Sequence, residues 1–94
     1  MAEAEARVVL TNRMGLHARP STQIATTVGR FASEVQVAKD GLAVDAKSVL
    51  ELLMLAAECG TELTVTAQGP DAEEAVQAVV RLVQDRFGEI DVDR

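Results

Sequence analysis

Three features of the sequence predict a two-layer α+β domain. Its 94 residues suffice for one hydrophobic core. Short β-branched or alternating segments are interleaved with runs of helical apolar spacing, in the order β-α-β-β-α-β-α. The cleanest alternation, residues 62–68, sets Leu63, Val65 and Ala67 against polar neighbours. One sheet face is therefore wet, as an antiparallel sheet permits, and the helices must cover the other.

Each element has its own local signal. Residues 1–6 alternate Ala and Glu and read as a frayed end. Residues 7–11 are β-branched and read as a first strand. Residues 12–16, with Gly15, form a loop, and residues 21–31 a helix with Ile24, Ala25, Val28 and Phe31 on one face. Gly29 marks where it ends. Residues 34–37 and 42–45 alternate with period two, and Asp40-Gly41 between them is a strong hairpin signal. Residues 48–57 read as a second helix. Its opening, Ser48-Val49-Leu50-Glu51, fits the capping box, and Gly60 closes it as a C′ residue. After residues 62–68 and the Gly69-Pro70 turn, Asp71 and Glu74 repeat the cap logic. A last helix shows Ala72, Ala75, Val76, Val79 and Val83 on one face; Arg86 favours its C-terminal end and Gly88 stops it. Residues 89–94 read as a second frayed tail. The chain is thus expected to be one domain over residues 1–94, ordered from about residue 7 to 88.

Composition narrows the function. Hydrophobic residues make up 48% and aromatics 2%, so the core is aliphatic. The net charge is −6. Residues 1–47 carry six Lys/Arg against five Asp/Glu, and residues 48–94 three against ten. Acidity without Trp or Tyr argues against nucleic-acid binding, which uses basic stripes and stacking platforms. No apolar run approaches the ~20 residues of a membrane span, and no signal-peptide pattern opens the chain. A cytoplasmic protein is expected. A single cysteine, Cys59, excludes an internal disulfide and offers no metal-ligand spacing; it reads as a small buried hydrophobe near a helix end.

The chemistry points to Gly15-Leu16-His17-Ala18-Arg19-Pro20. His17 is the only histidine, the one side chain whose unperturbed pKa lies near neutral pH. Proline is favoured in a first helical turn, so His17 falls in the loop entering the helix, beside amide N–H groups without intrahelical acceptors. Those amides, the positive end of the helix dipole and Arg19 form an anion site. A nucleophilic imidazole beside an anion site suits a histidine that carries a phosphoryl group. The plainer alternative is a surface histidine at a helix start.

The element order, with residues 12–20 after the first strand, resembles the histidine-containing phosphocarrier (HPr) family of the bacterial phosphoenolpyruvate-dependent phosphotransferase system. Ala46-Lys47-Ser48-Val49-Leu50 resembles that family's regulatory-serine segment, and residues 60–69 with the following Pro-Asp its last strand and turn. The resemblance covers residues 7–88. It implies an open-faced β-sandwich, a four-stranded antiparallel sheet with three helices on one face. It implies that His17 accepts a phosphoryl group on Nδ1 from enzyme I and passes it to a histidine of a downstream acceptor protein, with Ala18 and Arg19 binding the phosphate. No cofactor is implied, a monomer is expected, and the chain is a carrier rather than a free-standing enzyme.

The second helix is apolar nearly all round, which a short helix cannot bury completely. Leu52 and Leu55 are expected in the core; the resemblance makes Val49, Leu50, Leu53 and Met54 a partner-docking face. Ser48 is the expected N-cap. In some relatives the matching serine is phosphorylated by a kinase, but here Glu51, one turn on, would repel an added phosphate. Many sugar-system relatives carry lysines where this chain has Thr26, Gly29 and Glu51, leaving Arg13, Arg19 and Lys47 as the basic ring. Weaker steering follows, and with it an alternative: a regulatory binding module of the nitrogen-branch type, for which phosphorylation is only a switch.

Overall fold

In the computed structural model, which describes residues 2–89, alternation and helical spacing produce seven elements. They are β1 (Ala2–Val9), α1 (Ala18–Val28), β2 (Glu34–Lys39), β3 (Leu42–Asp45), α2 (Val49–Met54), β4 (Glu62–Gly69) and α3 (Ala72–Gln84). The strands form one antiparallel sheet in the order β1-β4-β2-β3. This is the expected open-faced sandwich.

The strand with the cleanest alternation lies inside the sheet. Val65 of β4 pairs with Ala6 of β1 on one side and Val37 of β2 on the other. Leu63, Val65 and Ala67 are buried, as are Ile24 and Val28 of α1, Leu52 of α2, and Ala72, Ala75, Val76, Val79 and Val83 of α3. The β2–β3 hairpin turns on Asp40 and Gly41, both at positive φ (50° and 84°), the backbone of a two-residue hairpin turn matched to strand twist.

Several local expectations are corrected. Residues 2–6 are not frayed: β1 begins at Ala2 and pairs with β4 as far as Gly69. The Ala/Glu alternation is itself a strand pattern, with Ala4 and Ala6 packed against the core and Glu3 and Glu5 in solvent. Of the expected tail, Glu89 is half-buried and residues 90–94 lie outside the described residues. α1 starts at Ala18, three residues earlier than the periodicity indicated.

α2 is shorter than predicted and does not close on Gly60. The carbonyls of Leu55 and Ala56 accept from Lys39 Nζ at 3.1 and 3.2 Å, and the chain reverses at Ala56 (φ 50°). The capping box is half formed. Ser48 Oγ accepts from the Glu51 amide at 3.2 Å, while the Glu51 carboxylate accepts from the Asp45 amide instead of reaching Ser48. Asp71 does not cap α3 with its side chain. Its carboxylate accepts from the amides of Ala32 and Ser33, each at 2.9 Å, and from Ser33 Oγ at 2.5 Å. It ties the β2 entrance to the turn after β4. Cys59 is exposed, not buried.

Candidate functional site

His17 is the N-cap of α1, with extended backbone dihedrals (φ −86°, ψ −169°), and its side chain makes no cap hydrogen bond. Its carbonyl accepts from the Ser21 amide at 3.0 Å, so the helix is registered on this residue. Pro20 lacks an N–H where none is needed. The amides of Ala18 and Arg19, in the first turn, have no intrahelical acceptor. Ala18 and Arg19 are exposed, and the Arg19 guanidinium makes no hydrogen bond or ion pair among the described residues. Two amides at the positive helix terminus, and a cationic residue two positions on, thus follow directly on a ring that is 34% exposed.

The loop before the helix is tightly fixed. Gly15 has φ 65°, and a Cβ there would lie 2.5 Å from the Ala57 carbonyl oxygen and 2.9 Å from Glu58 Cα. That approach lets the Leu16 amide donate to the Ala57 carbonyl at 2.8 Å, with Leu16 itself buried. The loop presenting His17 is stapled to the segment that follows α2. Asn12, fully buried, donates from Nδ2 to the Gly15 carbonyl at 2.7 Å.

One neighbour has no counterpart in the sequence reading. Glu89 Oε2 lies 2.7 Å from His17 Nε2, and Glu89 Oε1 accepts from Asn12 Nδ2 at 3.3 Å. The side chain of Glu89 is only 13% exposed. It is delivered by a left-handed turn over Arg86, Phe87 and Gly88 (φ 54°, 56° and 73°), anchored by the buried Phe87 ring and by Gln23 Nε2, which donates to the Phe87 carbonyl at 3.1 Å. Residues 72 positions apart cannot be joined by local patterning, and a buried Asn12 is equally invisible to periodicity.

The remaining expected residues divide by exposure. On α2, Leu50 and Met54 are 77% and 68% exposed, Leu53 is at the margin, Val49 is half-buried, and Leu52 and Leu55 are buried. Met14, in the His17 loop, is likewise 69% exposed. Ser48 is half-buried at the start of α2. A groove of about 740 Å³ between α1 and α3, lined by Thr27, Phe31, Ala78 and Leu82, contains none of these residues. No three His, Cys, Asp or Glu side chains converge as metal ligands among the described residues. No helix among them is long and apolar enough to cross a membrane.

Fold and site together define a small open-faced sandwich that displays its one histidine at a helix N-terminus. Comparison with known proteins makes the class specific. Residues 4–85 match the family model described as the PTS HPr component phosphorylation site. The phosphocarrier protein HPr of Cupriavidus necator is 42% identical over 80 residues, covering 85% of this chain and 90% of that one. The phosphocarrier protein NPr of Shewanella violacea is 36% identical over 89 residues, covering 95% and 98%. The crystal structure of HPr from Thermoanaerobacter tengcongensis superposes with a TM-score of 0.89 at 37% identity, covering 93% of this chain and 98% of that one. The chain belongs to the HPr family of phosphocarrier proteins of the phosphotransferase system.

Proposed function

We propose that this chain accepts a phosphoryl group on Nδ1 of His17 from enzyme I and passes it to a histidine of a downstream acceptor protein. The observation that carries the reading is the placement of a half-exposed imidazole as the N-cap of α1, beside the Ala18 and Arg19 amides and an unengaged guanidinium. In the forward step a ring nitrogen lone pair attacks phosphorus, an N–P bond forms, and the donor's N–P bond breaks as its own imidazole leaves. The Ala18 and Arg19 amides and the Arg19 guanidinium then bond the phosphoryl oxygens, in charge-assisted contacts. The shallow, open site leaves the group accessible to the next acceptor.

Val49, Leu50, Leu53 and Met54 serve as the docking face for both partners. Ser48 acts as the cap of α2, and a phosphate added there would meet the negative charge of Glu51, one turn on.

A second reading, a regulatory module of the nitrogen branch, draws on the NPr relative and on the uncharged or acidic Thr26, Gly29 and Glu51. The deciding experiment incubates the protein with phosphoenolpyruvate and purified enzyme I from the sugar or the nitrogen branch, read by intact mass beside His17→Ala. An acid-labile gain of one phosphoryl group, absent in the variant, is expected, and the donor that produces it names the branch. Arg19→Ala should accept about 10-fold more slowly, the loss of one charge-assisted hydrogen bond. Folded protein that gains nothing from either donor overturns the carrier reading and leaves the binding module.

A further inference from the structure

We infer that Glu89 is a positioning residue for His17, fixing which ring nitrogen attacks and neutralising the charge the ring acquires. The inference rests on the carrier reading above for its second half and on geometry alone for its first. A carboxylate only accepts hydrogen bonds, so at 2.7 Å from Glu89 Oε2 it is Nε2 that carries the hydrogen. In the neutral ring the lone pair then resides on Nδ1, which makes no hydrogen bond among the described residues.

Three observations make the contact a constructed one. Glu89 is itself oriented: Asn12 Nδ2 donates both to Glu89 Oε1 and to the Gly15 carbonyl, and since both partners are acceptors the amide has only one workable orientation. Asn12 is fully buried inside the loop that presents His17, so carboxylate and imidazole are referenced to one frame. The turn that delivers Glu89 holds two non-glycine residues, Arg86 and Phe87, in left-handed conformation. Such backbone persists only where its surroundings enforce it, and here the buried Phe87 ring and the Gln23 bond do so.

The chemistry gives the carboxylate a task. When Nδ1 gives its lone pair to phosphorus and Nε2 keeps its hydrogen, the ring becomes a cation. No proton leaves in that step, so the charge must be met where it forms, and Glu89 is already in contact with Nε2. A carboxylate that orients an imidazole and stabilises its cationic form is the division of labour seen in serine-protease triads, where the ring takes up a proton instead of phosphorus.

The test uses the full chain, as wild type and Glu89→Ala, with thermal unfolding to confirm that both are folded. Long-range ¹H–¹⁵N spectra of the imidazole, recorded about two pH units above the unperturbed histidine value, report the hydrogen directly. Wild type should show one protonated Nε2 and one unprotonated Nδ1, and Glu89→Ala should move both signals toward the averaged values of free imidazole. Phosphorylation of Glu89→Ala by enzyme I and phosphoenolpyruvate should slow about 10-fold, as when an oriented histidine loses its carboxylate partner. Wild-type spectra with the hydrogen on Nδ1, or spectra unchanged by the substitution, overturn the positioning role whatever the transfer assay gives. An unchanged transfer rate overturns the charge-neutralising role. Failure of wild type itself to accept phosphate strikes the carrier reading, while the spectra still decide the assignment of the ring hydrogen.

Discussion

Replacing Gly15 by alanine tests how rigidly the His17 loop is held. The substitution has two costs that the structure separates. At φ 65° an alanine occupies the left-handed region, which costs about 1 kcal/mol. Its Cβ also meets the Ala57 carbonyl oxygen at 2.5 Å and Glu58 Cα at 2.9 Å. Those are backbone atoms that cannot swing aside, and overpacking of this kind adds about 2 kcal/mol. Gly41→Ala is the matched control: φ is 84° and no heavy atom lies within 4 Å of the added Cβ, so only the conformational cost of about 1 kcal/mol applies. With a urea slope of about 1.5 kcal/mol per M, Gly15→Ala should lower the unfolding midpoint by about 2 M and Gly41→Ala by about 0.7 M. The same change should impair phosphoryl acceptance in protein that is still folded, because relief of the clash displaces the Leu16–Ala57 hydrogen bond that seats the loop. Equal midpoint shifts for the two variants would refute the argument that close backbone approach, rather than turn geometry, fixes the site.

Further predictions concern the docking face, the α2 cap and acid stability. Leu50→Ala should change stability by less than about 0.5 kcal/mol and weaken enzyme I binding about 10-fold by calorimetry. Leu52→Ala, two positions on but buried, should cost about 3 kcal/mol in urea unfolding. Ser48→Ala should cost about 1 kcal/mol in the same assay, the usual value of a lost N-cap. The Ser33 hydroxyl and the Ala32 and Ser33 amides hold the Asp71 carboxyl below its ordinary value of 3.8. A carboxylate depressed in the folded state stabilises above its unfolded pKa, and that contribution disappears as pH falls through the folded one. Asp71→Asn should therefore lower the melting temperature at neutral pH, and the gap to wild type should narrow as pH falls through the acid range below about 4; a gap independent of pH would count against the carboxylate as the cause.

The parts of this fold governed by short-range periodicity could be read directly. The inner face of β4 and the buried stripe of α3 appear residue for residue, because alternation and helical spacing encode burial. Element ends were less legible, since they depend on distant partners. α2 stops early, and Lys39, sixteen positions before Leu55, covers the carbonyls of Leu55 and Ala56 just past its end. Asp71 has the sequence of a cap, yet its carboxylate turns to amides that reach it only through the tertiary fold. The place of Ala18 and Arg19 in the first turn of a helix entered at His17 was legible because it follows from the local Pro20 signal alone. Asn12 and Glu89 were not, since nothing local distinguishes a buried asparagine in a loop or a carboxylate after a terminal glycine. Exposure of Cys59 went unseen for the same reason: the early end of α2 leaves it on an open loop.

The position of β1 has a consequence for synthesis. Among the described residues β1 has β4 as its only neighbour in the sheet, and the loop that follows it is seated on Ala57 and Glu89. As the chain leaves the ribosome, its opening residues find no strand to join until residue 69 has been made. Contacts so far apart in sequence close slowly and late. The helix bearing His17 is translated early, but the imidazole reaches its full set of neighbours only once Glu89 has emerged. A nascent fragment ending before residue 89 thus exposes the histidine without its carboxylate neighbour, and that setting is completed in one late step rather than growing along with the chain.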